Sequence, residues 1–489
     1  MKKKPRIQKT LIFTSLFLII FGMSSFIHPG SALWSRAEVI TTTSESSEDA
    51  RLPRIAIDGQ GNLHVVWMDN TSYSGAGSDH DLFYKCWNST NENWSSSELI
   101  TPGSNEHSFM PQMSLDPLGN IHVVWQEKTT TNDNDIYYSV RNASTQIWTA
   151  PTIVSTNSWD HCYRSYVLAD DSGNVHVTWT DDSNLNSSGG DSDIYYKRKN
   201  GTTGLWEPQE LVSSGSWNSS WRNTMAIEND ILHIMWADTS YGWLGSGNFW
   251  DIFYRKFNLT SGTWSSVELI SVGSTQDSQL PSLLIDSSGN KHVTWFDVIG
   301  GKDAPKSIFY RFWNASEGSW NTPANLSFGS GKRHWFPKIA LDGNDNLHMV
   351  YMDDSNYNGA GDDFDIVYRR KMNGTMDWTT PEVVSLQSTD EAAHPSLAIE
   401  GPDGNGYVKI HVVWDDWTDY DFSGFGRNIA YSTLETNMEE QQSENWWDEL
   451  FGEENNGLIA YIFVFAAFVS GIILFILIYV KKNGPVKKR

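Results

Sequence analysis

Cysteine is nearly absent, with two in 489 residues; long Ala/Leu/Glu/Lys runs of helical period are missing; and 35 basic residues face 59 acidic ones. Two thiols cannot staple a chain of this size. Cys86 falls in an expected strand and Cys162 in an expected loop two repeats away, too far apart for a disulfide to be expected. The missing helical period excludes helix bundles and α-solenoids. The shortage of basic residues excludes nucleic acid as a partner. Residues 1–32 and 458–489 each carry five basic and no acidic residues, so the segment between them holds −34 against a total of −24.

Long apolar runs are confined to the two ends. Lys2, Lys3, Lys4, Arg6 and Lys9 precede an apolar stretch from Leu11 to Phe21 and the small residues Gly30-Ser31-Ala32, which reads as a signal peptide over 1–32. Leu458 to Val480 gives 23 uncharged residues, enough to cross a ~30 Å hydrocarbon core as a helix. An acidic stalk over 435–457 precedes it and a basic tail over 481–489 follows. The charge asymmetry expects that tail in the cytoplasm and the bulk of the chain outside the cell membrane, hung from a single span.

What fills the interior is a repeat. Asn62-Leu63-His64-Val65-Val66-Trp67 returns at Asn120–Trp125, Asn174–Trp179, Ile231–Trp236, Asn290–Trp295, Asn346–Tyr351 and Lys409–Trp414, with histidines 54 to 63 residues apart. Each unit reads as four short strands bounded by Gly, Asn, Asp and Pro. In the first unit these are Pro53–Asp58, His64–Asp69, Asp81–Lys85 and a piece from Trp94 to Ile100. Fourth-strand tryptophans number seven as well: Trp34, Trp94, Trp148, Trp206, Trp264, Trp320 and Trp378. Trp34 stands before any first strand, and the last unit lacks a fourth. The expected fold is therefore all-β, a seven-bladed β-propeller over 33–434 of four-stranded antiparallel blades, closed by the N-terminal strand completing the last blade, with one C-terminal transmembrane helix.

A residue present in every blade points to scaffold. The repeated histidines are expected to hydrogen-bond near the Asp-Xaa-Xaa-Gly-Asn turns, whose Asp58, Asp116, Asp170, Asp286 and Asp342 suit turn chemistry. Five histidines outside the repeat and the signal remain: His80, His107, His161, His334 and His394. They fall in connections that share one face, the long-loop face, beside Arg51, Arg164, Arg222, Arg333, Trp159, Trp217, Trp221 and Trp335. His107, His161, Arg164, Trp221, Arg222, Arg333, His334, Trp335 and His394 are the candidate ligand-binding residues, aromatic platforms with polar anchors. Glu106, Asp160 and Glu391 are the candidate catalytic carboxylates, though no motif pairs them.

The Asp-rich loops Asp69–Asp81, Asp181–Asp193 and Asp353–Asp365 make calcium the cofactor to consider. None follows the EF-hand ligand order, however, and the terminal Asp recurs between blades. The turns between third and fourth strands carry six sequons, at Asn88, Asn142, Asn200, Asn258, Asn314 and Asn373, expected as glycosylation sites on the face opposite the long loops.

The units of the form Asp-Xaa-Xaa-Gly-Asn-Xaa-His-Val-Val-Trp resemble those of prokaryotic cell-surface β-propeller repeat proteins, loosely of the sialidase-like superfamily. The likeness is architectural: Asp171-Ser172-Gly173-Asn174-Val175-His176-Val177-Thr178-Trp179 has four residues between Gly and Thr where a sialidase Asp-box has one. The Arg triad and the Tyr/Glu pair that such enzymes carry are not placed. The expected function is recognition of an extracellular glycan or protein on the long-loop face. A sialidase-like glycoside hydrolase on the same face and a structural cell-envelope component are the alternatives.

Overall fold

A computed structural model describes residues 33–437, apart from 42–48, 78, 130–132, 186–187, 299, 301–303, 328–331, 357–360, 362 and 421–425. The expected signal peptide, nearly all of the expected stalk, the expected 458–480 span and the basic tail lie outside the described residues. No helix among those described is long and apolar enough to cross a membrane. The chain divides into two compact units, 1–402 with 408–435 and 403–407 with 436–489. Of the second, residues 403–407 form a turn closed by Asp403 N–H donating to the Tyr407 carbonyl.

The first unit is the propeller, built from seven antiparallel sheets. Blade one runs Arg51–Ile57, Leu63–Asp69, Asp81–Asn88 and an outer strand in two pieces, Asn93–Trp94 and Glu98–Leu99, both paired to the third strand. The innermost strands of the next five blades are Ser108–Leu115, Cys162–Ala169, Ser220–Glu228, Ser278–Ile285 and His334–Leu341. Blade seven consists of Ala392–Glu400, Tyr407–Asp416, Asn428–Asn437 and, as its outer strand, Glu38–Val39. Glu38 pairs with Tyr431 and Val39 with Ala430, so the N-terminal segment closes the ring as expected. Innermost strands of neighbouring blades touch, that of blade seven meeting that of blade one.

The core lies between blades. Trp67, Trp125, Trp179, Trp236, Trp295 and Trp414, all on second strands, are fully buried, each worth about 2–3 kcal/mol of apolar burial. A second device recurs. Third-strand cations reach back to a carbonyl after the preceding blade's outer strand: Lys197 Nζ to Val154 O at 2.9 Å, Arg255 to Val212 O at 2.8 Å, Arg311 to Ile270 O at 2.7 Å and Arg369 to Leu326 O at 2.6 Å. Lys85 Nζ makes the same bond to Ile40 O at 2.7 Å. The closing strand is thus held by the chemistry that joins the other blades.

Two placements differ from the sequence reading for one reason. Cys162, expected in a loop, is the first residue of an innermost strand, and His334, expected at the binding face, is buried with 0% exposure. Both occupy the position of Ser108, Ser220 and Ser278, whose hydroxyls donate to the acid ending the second strand (Glu127, Asp238 and Asp297) at 2.6 to 2.8 Å. Cys162 Sγ lies 3.3 Å from Asp181 and His334 Nδ1 2.8 Å from Asp353. They are blade-specific substitutes for a buried serine. Both cysteines are free thiols.

Candidate functional site

Every innermost strand breaks register near its start, and at each break one residue other than glycine takes a positive φ between 47° and 59°. The seven are Leu52, Met110, Arg164, Arg222, Leu280, Phe336 and His394. This left-handed conformation costs on the order of 1 kcal/mol apiece, and bulges of this kind re-aim a side chain. Proline follows in five blades (Pro53, Pro111, Pro281, Pro337, Pro395), which a bulge tolerates because no ladder N–H is needed there. Blades three and four carry Ser165 and Asn223 instead. Asn223 Oδ1 accepts from Thr178 Oγ1 at 2.5 Å and its Nδ2 donates to Arg164 O at 3.0 Å, which fixes the strand segment that bears Arg164.

All seven re-aimed residues line one axial cavity of about 340 Å³. A second ring, two residues further along each strand, supplies Arg54, Gln112, Tyr166, Thr224 and Lys338. Among the described residues that line it, none is Asp or Glu, although the chain carries 59 of them. Arg51, Arg54, Arg164, Arg222 and Lys338 all face the cavity. Arg51 is paired with Asp49. Arg54 donates to Gln112 Oε1 at 3.0 Å and to Pro53 O at 2.8 Å. His394 Nδ1 lies 2.9 Å from Asp415, which also takes Arg427 at 3.1 Å and the Leu52 N–H at 3.0 Å. Arg164 stands over the Trp221 ring at 5.8 Å. Among the described residues, the Arg222 guanidinium and Lys338 Nζ have no hydrogen-bond or ion-pair partner.

The electrostatic consequence is a strained set of cations. Burial pushes the Lys338 ammonium down to about 7, and the Arg54 guanidinium adds to the effect. Arg222 falls to about 10 through burial and the proximity of Arg164, with Asp277 opposing. Arg54 also falls to about 10 through burial, opposed by Tyr166 and Asp415. Burial lowers Arg164 as well. Buried charge without a counter-charge is costly, and an incoming anion relieves that cost.

The candidates from sequence divide around this cavity. Arg164, Arg222 and His394 line it. Trp221 is not in its lining; it stacks on Tyr163 at 5.7 Å and carries the Arg164 guanidinium over its ring. Trp335 lies under Lys306, 3.5 Å from ring centre to Nζ. Arg333 pairs with Asp354 at 2.7 Å. His107 is 3.2 Å from His80, and His161 is 3.2 Å from Asp133. None of the three carboxylates lines the cavity. Glu106 is 3.8 Å from Lys128, Glu391 is 3.7 Å from Arg427, and Asp160 is exposed beside His161. Asp133, Asp160 and His161 form the one group among the described residues whose ligand atoms lie close enough to share a metal ion. Arg54, Gln112, Tyr166 and Lys338 were missed by the sequence reading. For Arg54, Gln112 and Lys338 the proline just before each was the signal that could have found them, while Tyr166 follows Ser165 and carries no such mark.

The comparisons with known proteins follow from this architecture. No family model and no curated protein matches the chain. A Dyadobacter fermentans protein of unknown function superposes with a TM-score of 0.50 at 13% identity, over 83% of this chain and 100% of that one. An ulvan lyase, described as a polysaccharide lyase bound to -[GlcA(1-4)Rha3S]-, superposes with 0.51 at 14% identity, over 78% and 93%. A Trypanosoma rangeli sialidase gives 0.44 at 9% identity, over 67% and 55%. The first two likenesses are of fold alone: the chain is a seven-bladed propeller with an architectural resemblance to these two proteins.

The repeated histidines are scaffold, as expected. His64, His122, His176, His233, His292, His348 and His411 each place Nδ1 2.7 to 2.8 Å from a third-strand tyrosine hydroxyl. In five blades Nε2 meets the turn aspartate at 3.1 to 3.4 Å. Five of the six sequon asparagines also hold their own turns together, whereas Asn373 Nδ2 donates to Asn344 O at 3.1 Å. Asn88 Oδ1 accepts from Thr90 N–H at 3.0 Å and Asn91 N–H at 2.8 Å, and Asn142, Asn200 and Asn314 repeat the turn.

Proposed function

We propose that this chain is a membrane-anchored extracellular receptor for an acidic glycan, whose carboxylate or sulfate group seats in the axial cavity. One observation carries the reading: Arg164, Arg222 and Lys338 converge on a cavity with no lining carboxylate among the described residues, inside a strongly acidic chain. An oxyanion would accept charge-assisted hydrogen bonds from the guanidinium groups and offset their burial. Phe336, Leu280 and Met110 offer apolar contact for the sugar. The ulvan lyase of the same fold is described with a glucuronate and a sulfated rhamnose, sugars of the chemistry this cavity suits.

Anchoring rests on the 1–32 signal and the 458–480 span, with the propeller outside and glycosylation at Asn88, Asn142, Asn200, Asn258, Asn314 and Asn373. Hydrolysis by paired carboxylates is not favoured at the axis, since that mechanism needs two acids across the sugar and the described lining offers none. Calorimetric titration of the full-length protein with glucuronate, a sulfated monosaccharide and neutral glucose tests the proposal. Binding confined to the anionic sugars, weakened by salt and by Arg164→Met, supports it. Equal affinity for glucose, or none for either anion, refutes it.

A further inference from the structure

Lys338 differs from the other cations of the cavity. Guanidinium groups stay protonated and can serve only as anion holders. An amine in the same surroundings loses its proton readily and becomes a nucleophile. Lys338 Nζ has no partner among the described residues, lines a cavity that also holds Arg54, Arg164 and Arg222, and has apolar Phe336 two residues before it in the same wall. Burial and the Arg54 charge both favour the neutral amine.

We propose that Lys338 is a covalent capture site for small anionic carbonyl compounds, aldehydes or keto acids that carry a carboxylate on the neighbouring carbon. This rests on the anion-binding reading of the cavity. The guanidinium groups hold the carboxylate, and the carbonyl carbon comes within reach of the amine. The lone pair of Lys338 Nζ attacks that carbon and forms the C–N bond. The carbonyl oxygen takes up protons and departs as water, the nitrogen gives up both of its protons, and an imine remains. The step needs no oxidant or reductant and is reversed by water.

Glyoxylate, the smallest aldehyde bearing a carboxylate, is the probe. The full-length protein is incubated with it near pH 7, treated with borohydride to reduce the imine to a stable secondary amine, digested and mapped by mass spectrometry. Lys338 is expected to be the principal labelled lysine, and Lys338→Arg to lose that label. Arg222→Met is expected to lower labelling by glyoxylate roughly tenfold relative to labelling of the same variant by neutral glycolaldehyde, the loss of one charge-assisted contact. Label spread over exposed lysines with Lys338 unmodified overturns the proposal. In that case glucuronate titration of the wild-type protein separates the two readings. Binding leaves the anion site standing without the capture chemistry, and absence of binding removes both.

Discussion

Arg222→Met asks whether the axial cations are kept for ligand or for folding. Burial and the neighbouring Arg164 bring the Arg222 guanidinium well below its ordinary value, to about 10. At roughly 1.4 kcal/mol per pH unit, holding the charge there costs up to ~3 kcal/mol more than in water, and about half of that once water in the open cavity is counted. Methionine fills similar volume, carries no charge and leaves no acceptor stranded, because Arg222 has no partner among the described residues to lose. The variant should therefore be about 1–2 kcal/mol more stable than the wild type without ligand, while its affinity for an anionic sugar falls tenfold or more. Denaturant unfolding of the full-length protein gives the first quantity and calorimetric titration the second. A variant that is less stable and binds as before would refute the reasoning, since Arg222 would then be a structural residue.

Further outcomes follow from other parts of the molecule. His122→Ala should cost ~2–4 kcal/mol in denaturant unfolding, because it leaves Tyr138 and Asp116 without their shared partner. Stability should have a limb on each side of about pH 4. Burial raises Asp116 and Asp170, but hydrogen bonds from His122 with Asn120 and from His176 with Asn174 override it and hold the pair down to about 2. Their contribution is therefore full above ~4 and lost as pH falls towards 2. Burial raises Asp193 and Asp365 to about 7, so the folded state binds extra protons between ~4 and 7 and stability falls as pH rises through that window. Asp193→Asn with Asp365→Asn should flatten the second limb in a thermal-unfolding series, and an unchanged limb would exclude these two groups as its cause. Removing residues 33–41 should expose the Asn428–Asn437 strand and raise the apparent mass in light scattering above that of the intact protein.

The fold was legible because it is written seven times: the His-Val-Val-Trp period fixes the blades, and Trp34 marks the strand that closes them. The site was half legible. Subtracting the repeat pointed to Arg164, Arg222 and His394, which do line the axis. It also pointed to His334, which the register places opposite Asp353 in the buried serine position. Arg54 and Lys338 escaped because in sequence they are ordinary strand residues at a repeating position. Only the register break two residues earlier turns that position inward, and a one-residue shift cannot be read from an alternating pattern.

The seven re-aimed residues have a consequence for how such a molecule can change. Each blade contributes one re-aimed side chain to the axis from a bulge with a positive φ at the same position, so this ring of the lining can be read as a word of seven letters: Leu, Met, Arg, Arg, Leu, Phe, His. A substitution at one letter leaves the other six, and the packing between blades, where they were. A duplicated gene could thus acquire a different ligand by respelling the axis one position at a time, without renegotiating the fold.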